Sequence, residues 1–408
     1  MKKKHSGCCF FFLCLLFLLP GVILIRDRLP DAETILALVS QAREEVKEVL
    51  PSAEPRQTIS EEEKAALLSA GQGENGCAYY YWQLSEEQQI EYMKYLNGIR
   101  SMEEEITLSL DADPAKQIVK MVFADHPELF WAEQSYEYLV YDSRVEIHPR
   151  YTVSYEEKEQ RQQQIELTVQ ESLGWIPSGA SAYEIVKALY SYVVQTVDYD
   201  LASSDNQNIY SSMVNRVSVC TGYAKELQYL LQRVGIQALC VEGTAANQEA
   251  HAWLIASVDG SWYHIDPTYG DPAYRETSAE DLLSIPEALQ VDYAYLCMDD
   301  ASILRDRTVS ADLEIPSCSA VDLLYYPLHG LLFYSYDEEV LVSLQESIAA
   351  GQNYWEGQFA DDASYQEMLS AMQEGTFANL VLANRPELGA VRMHMSYRDE
   401  SRVVKLWY

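Results

Sequence analysis

The sequence predicts an α+β chain, and three observations carry that prediction. Apolar residues recur at three- and four-residue spacing through Ala224, Leu227, Leu230, Leu231 and Val234 and stop at Gly235, the pattern of an amphipathic helix. Two β-rich runs flank Asp259-Gly260, a dipeptide that favours a two-residue hairpin turn. Nearer the N-terminus, "YEYLVYD" and "RVEIHPRYTVSY" alternate as neighbouring strands before a long helical run.

Taken in order, residues 1–30 open with Lys2, Lys3 and Lys4 and continue into an uncharged apolar run, Cys8 to Ile25. That run sits at the lower edge of what spans a bilayer as a helix. The preceding lysines keep the N-terminus cytoplasmic and the body outside, on the cell membrane or secreted. A cleaved signal and a retained anchor both fit. No small-x-small site follows the run, which favours the anchor, while Pro20-Gly21 inside it leaves the choice open. Residues 31–76 begin with helical periodicity and turn polar, rich in Pro, Gly and Glu, as a spacer would be.

Residues 77–178 form an N-terminal α+β module: a helix from Ser85, the strand "EITLSL", a helix ending before Pro127, two strands and a further helix. No chemistry is evident in it. Residues 179–308 hold the helix "SAYEIVKALYSYVVQTVDYD", with Ile185, Leu189, Tyr192 and Val193 on one face, then the stretch "SVCTGYAKELQYLLQRVGIQALCVEG" and the hairpin "HAWLIASVDGSWYHIDPTYGDP". Residues 309–408 alternate strand-like and helical runs and close on a hairpin.

Composition narrows the partners. With 29 Lys and Arg against 63 Asp and Glu, the net charge is −34. A surface of that sign repels phosphate backbones, so nucleic acid is not an expected partner. Five of the eight cysteines lie in the body, Cys77, Cys220, Cys240, Cys297 and Cys318; none shows C-x-x-C spacing, and neither zinc nor another cofactor is suggested.

Chemistry concentrates at Cys220. It stands at the start of the predicted helix, where unpaired N–H groups and the positive end of the macrodipole favour an anion. A thiolate is the nucleophilic form of cysteine, and such a position lowers its pKa. Gly222 allows close backbone approach beside the thiol. A packing cysteine fits this segment equally well; Cys240, in an apolar strand, is read as core. In the hairpin, if Val258 faces Ser261, Trp253 faces Asp266 and His251 faces Thr268. His251 and Asp266 are then diagonal neighbours on one face, and the carboxylate can fix the imidazole tautomer. His264 shares that face and is a lesser candidate base. Thiol, imidazole and carboxylate together make a nucleophile–base–orienter set.

"VCTGYA", "HAW" and "WYHIDPT" resemble the motifs of the transglutaminase-like superfamily, over about Ala180 to Asp300. The resemblance implies a papain-like core, with the cysteine helix packed on an antiparallel sheet and smaller α+β modules on either side. It also implies that Cys220, His251 and Asp266 are the catalytic residues. Leu254 departs from the Asn that many relatives carry after His-Ala-Trp. No motif fixes the second oxyanion donor, and Tyr199, in "VDYD", is the candidate. The expected function is thiol-mediated acyl transfer on peptide, protein or cell-wall amides. Hydrolysis is favoured over amine cross-linking, because water is the default acceptor unless a site excludes it. The competing expectation is a non-catalytic surface module on the same scaffold. Oligomeric state is left open.

Overall fold

The helix Glu86–Arg100 shows how local sequence sets an element of the fold. Ser85 accepts the Gln88 N–H and Gln88 returns a bond to the Ser85 N–H, while Glu86 and Glu87 sit at the positive end of the dipole. This computed structural model describes residues 59–408 apart from 75, 247, 273–283 and 311. The apolar segment 1–30 and the helical run 31–50 lie outside the described residues. No helix among those described is long and apolar enough to cross a membrane.

Two compact units make up the chain. One contains Leu84–Val122 and Trp131–Thr152, with the helix Glu61–Glu74 before them. Its sheet has the order β1 (Ile106–Leu108), β3 (Val145–Tyr151), β2 (Ala132–Val140), all antiparallel. Tyr92, Leu96 and Ile99 are fully buried, and the Trp131 indole donates to Ile99 O at 3.1 Å. The polar spacer expected to run to residue 76 ends earlier, because Glu61–Glu74 is helical and packs on Glu86–Arg100. Its Glu-rich start disguises it as linker in composition, yet Ser60 Oγ caps Glu63 N at 3.1 Å.

The other unit gathers Asn75–Gln83, Phe123–Phe130 and Val153–Tyr408. This division runs across two of the expected boundaries. The helix Tyr155–Leu173, assigned to the module 77–178, belongs here, and residues 309–408 share one unit with residues 179–308. Within it, Lys405 Nζ lies 3.3 Å from Asp292 Oδ1, a buried pair between residues 309–408 and 179–308.

Within this unit β4 (Asp198–Tyr199) runs parallel to β5 (Val217–Ser218), which leads directly into the helix Cys220–Arg233. That helix buries Tyr223, Leu227, Leu230 and Leu231 completely. Each such leucine contributes about 2 kcal/mol by leaving water. It packs on an antiparallel sheet of order β8 (Ser261–Ile265), β7 (Ala250–Val258), β6 (Ala238–Thr244), β9 (Thr308–Val309). The architecture is the expected α+β, papain-like core. The hairpin register is as the sequence predicts, Val258 opposite Ser261, with positive φ at both Asp259 and Gly260. That pair of angles is a type I′ turn, matched to strand twist.

A second four-stranded sheet has the order β10 (Leu332–Phe333), β11 (Tyr354–Phe359), β13 (Val403–Trp407), β12 (His394–Arg398); β10 is parallel to β11 and the rest are antiparallel. Its core joins Trp355, Phe359 and Leu406 to Leu344, Met368 and Phe377 from three covering helices. One of them, Thr376–Asn384, has no counterpart in the sequence reading.

Candidate active site

Cys220 is the first residue of its helix, and the preceding Val219 offers no side-chain cap. Gly222 N and Tyr223 N both bond to Val219 O, leaving the Cys220 and Thr221 N–H groups without an acceptor inside the helix. The helix therefore begins as an open anion-favouring end with the sulfur on it. Gly222 serves a different purpose from the one its position suggested. A side chain there would run into the Ser218 hydroxyl and crowd Asn208 O at 3.3 Å, so the glycine is required by packing beneath the thiol.

The hairpin brings up the other two groups. His251 Nε2 lies 2.8 Å from Asp266 Oδ2, both side chains being buried. The ring lies close enough to the Cys220 thiol for each to shift the other's protonation. Rings hold the imidazole in place, Trp253 stacked at 5.9 Å and Tyr269 edge-on at 5.0 Å. Burial pushes the Cys220 thiol up, but the bond and charge of His251, with the Ala252 N–H, reverse this and hold it below the ordinary thiol value. Burial alone would lower His251; the Asp266 carboxylate outweighs it and raises the imidazole to about 9. Both shifts favour thiolate and imidazolium together. Cys77, Cys240, Cys297 and Cys318 move the opposite way, their thiols raised by burial. No disulfide joins the described cysteines.

Asp266 has a partner that sequence reasoning missed. Arg307 Nη2 donates to Asp266 Oδ2 at 2.8 Å, the same oxygen that receives His251, and Tyr269 N donates to Oδ1 at 3.1 Å. Arg307 is 4 % exposed, and its guanidinium lies over the Tyr269 ring at 4.2 Å. Burial would raise the Asp266 carboxyl, yet the charges of His251 and Arg307 hold it well below the usual carboxylate range. No local pattern in "ILRDRTV" announces this role. It follows from β9, which crosses beside Gly243 and Thr244, the residues paired with His251 and Ala250.

Tyr199 enters through β4, where it pairs with Ser218 two residues before the thiol. Burial, then the charge of Cys220, pushes its phenol up to about 12. At neutral pH it is therefore a protonated donor close enough to feel the sulfur. His264, the lesser candidate base, is not brought to Cys220. Its Nδ1 accepts the Trp253 indole N–H at 3.0 Å and its Nε2 faces Asp300 Oδ1 at 2.9 Å. An indole N–H can only donate, so Nδ1 must accept and Nε2 carries the proton.

Among the described residues, two groups of side chains have metal-type ligands close together. In His264, Asp300 and Cys318, the ring nitrogen nearest the others already holds a proton, and Asp300 Oδ2 accepts from Ser317 Oγ and Cys318 N, both at 3.0 Å. In Glu105, Glu146 and His148, Glu146 accepts from His148 Nε2 at 3.0 Å and from the Tyr141 hydroxyl at 3.2 Å. Both sets are closed by hydrogen bonds, and neither includes Cys220.

Residues 174–267 match the family described as the transglutaminase-like superfamily. Among solved structures, the chain is similar to a TGase at 15 % identity and a TM-score of 0.26, over 43 % of this chain and 54 % of that one. It is similar to a candidate cysteine protease from Cytophaga hutchinsonii at 17 % identity and a TM-score of 0.23, over 33 % and 61 %. The periplasmic domain of TgpA from Pseudomonas aeruginosa overlaps at 16 % identity and a TM-score of 0.21, over 32 % and 57 %. The chain thus spans about half to three fifths of these proteins' lengths. No curated protein matches it. The segment that carries Cys220, His251 and Asp266 is a domain of the transglutaminase-like superfamily.

Proposed function

We propose that this protein is a thiol-dependent acyl-transfer enzyme acting on peptide, protein or cell-wall amides outside the cytoplasmic membrane, with water as its acceptor. One observation carries the reading: Cys220 alone among the described thiols is lowered, and the imidazole that lowers it is held by a buried carboxylate. The Cys220 thiolate attacks the amide carbon, giving a tetrahedral oxyanion. The N–H of Cys220 and the Tyr199 hydroxyl are the proposed donors to that oxygen, and such donors contribute roughly 3 kcal/mol each. His251, as imidazolium, gives its proton to the leaving amine as the C–N bond breaks, and a thioester remains. A water then loses a proton to His251 and attacks the thioester, releasing the acid and restoring the thiolate. Asp266 keeps the ring's orientation and tautomer throughout.

Water is assigned as acceptor because Cys220 is only partly buried, which leaves solvent a path to the thioester. The exported location rests on the lysines and apolar run of residues 1–30. Mass spectrometry of a peptide mixture incubated in ¹⁸O-water tests the proposal. Wild type is expected to leave ¹⁸O in new C-termini or in deamidated side chains, and Cys220→Ala to leave none. Cross-links without ¹⁸O would reassign the acceptor to an amine; the absence of all three products would end the enzymatic reading.

A further inference from the structure

Arg307 has a second face. Besides holding Asp266, it lines a cavity of about 210 Å³ whose wall contains none of Cys220, His251 or Asp266. Arg305 and Arg402 line it too, so three guanidiniums meet at one cavity in a chain of net charge −34. Arg307 is paired with both Asp266 and Asp306, and the neutralisation of the other two is incomplete. Arg305 Nη1 donates to a neutral carbonyl, Glu400 O, at 3.1 Å. Arg402 Nη1 reaches Asp362, whose side chain is 89 % exposed and so weakly held. Burial, then the like charge of Arg402, lowers the Arg305 guanidinium, as two cations sharing a recess require.

Three buried donors in this wall, Ser401 Oγ, Arg402 Nε and Arg307 Nε, have no hydrogen-bond partner. A buried donor without a partner is costly, so a cluster of them calls for an acceptor. One acceptor in the wall, Asp306 Oδ2, is likewise unpartnered, and Glu400 is engaged by the Tyr295 hydroxyl at 2.9 Å. The remaining surface includes Leu324, Leu332 and Phe359. The recess therefore presents clustered cationic donors, one anionic acceptor and an apolar wall.

We propose that this cavity is a second binding site, for a small organic carboxylate that also carries an N–H group and an apolar body: the C-terminal residue of a peptide. The carboxylate meets Arg305 and Arg402, the N–H meets Asp306, and the side chain lies on the leucines and Phe359.

Calorimetric titration of the full chain with N-acetyl-L-leucine tests this, with N-acetyl-L-leucinamide as the same body lacking the charge. Saturable binding of the acid and none of the amide is expected. Arg402→Gln and Arg305→Gln should each weaken it about ten-fold or more, the size of one charge-assisted contact. Arg305 is an exposed side chain, so its replacement leaves folding intact and keeps the test decisive if Arg402→Gln unfolds. Alkylating Cys220 should leave binding in place, which separates this site from failure of the proposed enzymatic reaction. Equal binding of acid and amide, indifference to Arg305→Gln, loss on Cys220 alkylation, or no binding would each overturn the proposal.

Discussion

Two sets of cysteine, histidine and aspartate border the same strands, and their chemistry is opposite. In one, Asp266 raises His251 and His251 lowers Cys220. In the other, His264 is lowered by burial although Asp300 lies 2.9 Å away, and the Cys318 thiol is pushed up to about 12. Both histidines have a carboxylate on Nε2. They differ in their other neighbour: His251 lies beside the Cys220 thiol, whereas His264 Nδ1 accepts an indole N–H. A thiol can surrender its proton to an imidazole, whereas an indole cannot, so His264 is confined to its neutral form. A carboxylate beside a histidine is therefore weak evidence of a base until the second nitrogen's partner is known.

The comparison can be broken most severely at Asp266. Asp266→Asn should lower turnover about 10⁴-fold by allowing the wrong tautomer. It should also cost about 2 kcal/mol of stability by leaving the buried Arg307 with Asp306 as its carboxylate partner, a loss measurable by denaturant unfolding. At pH 6, His251→Ala should slow alkylation of Cys220 about 100-fold, because an ordinary thiol is almost wholly protonated there. His264→Gln should change that rate by no more than about two-fold, yet destabilise the fold by about 1–3 kcal/mol through the unpaired Trp253 indole and Asp300. Equal effects of the two histidine substitutions on alkylation would erase the distinction. Trp253→Phe sharpens it: removing the indole N–H frees Nδ1, and the His264 pKa should rise in an NMR titration.

The smallest expected effect is on stability against pH. His251 has a folded pKa of about 9, above its ordinary 6.5, so its stabilisation is complete below 6.5 and lost as pH rises through 9. For His264 the folded value is depressed, so the unfolded chain binds protons more readily and stability falls as pH drops below 6.5. Unfolding curves across pH should show His251→Gln flattening the alkaline arm and His264→Gln flattening the acid arm.

By itself, the sequence determined the elements whose causes are local. The stripe from Ala224 to Leu231, Asp259-Gly260 and the period-two alternation specify the thiol helix, the turn and the hairpin register, and that register puts His251 and Asp266 on one face. Helix caps and turn angles act over a few residues, so a short window contains all their terms. Tertiary structure alone decided which imidazole meets a thiol, that Arg307 shares the carboxylate of Asp266, and that Glu61–Glu74 packs as a helix where its composition suggests a linker. Those outcomes depend on partners brought together from distant parts of the chain: β9 carries Arg307 to a carboxylate 41 residues away. Charge and desolvation act through space, and residue order does not record which charges will be buried together.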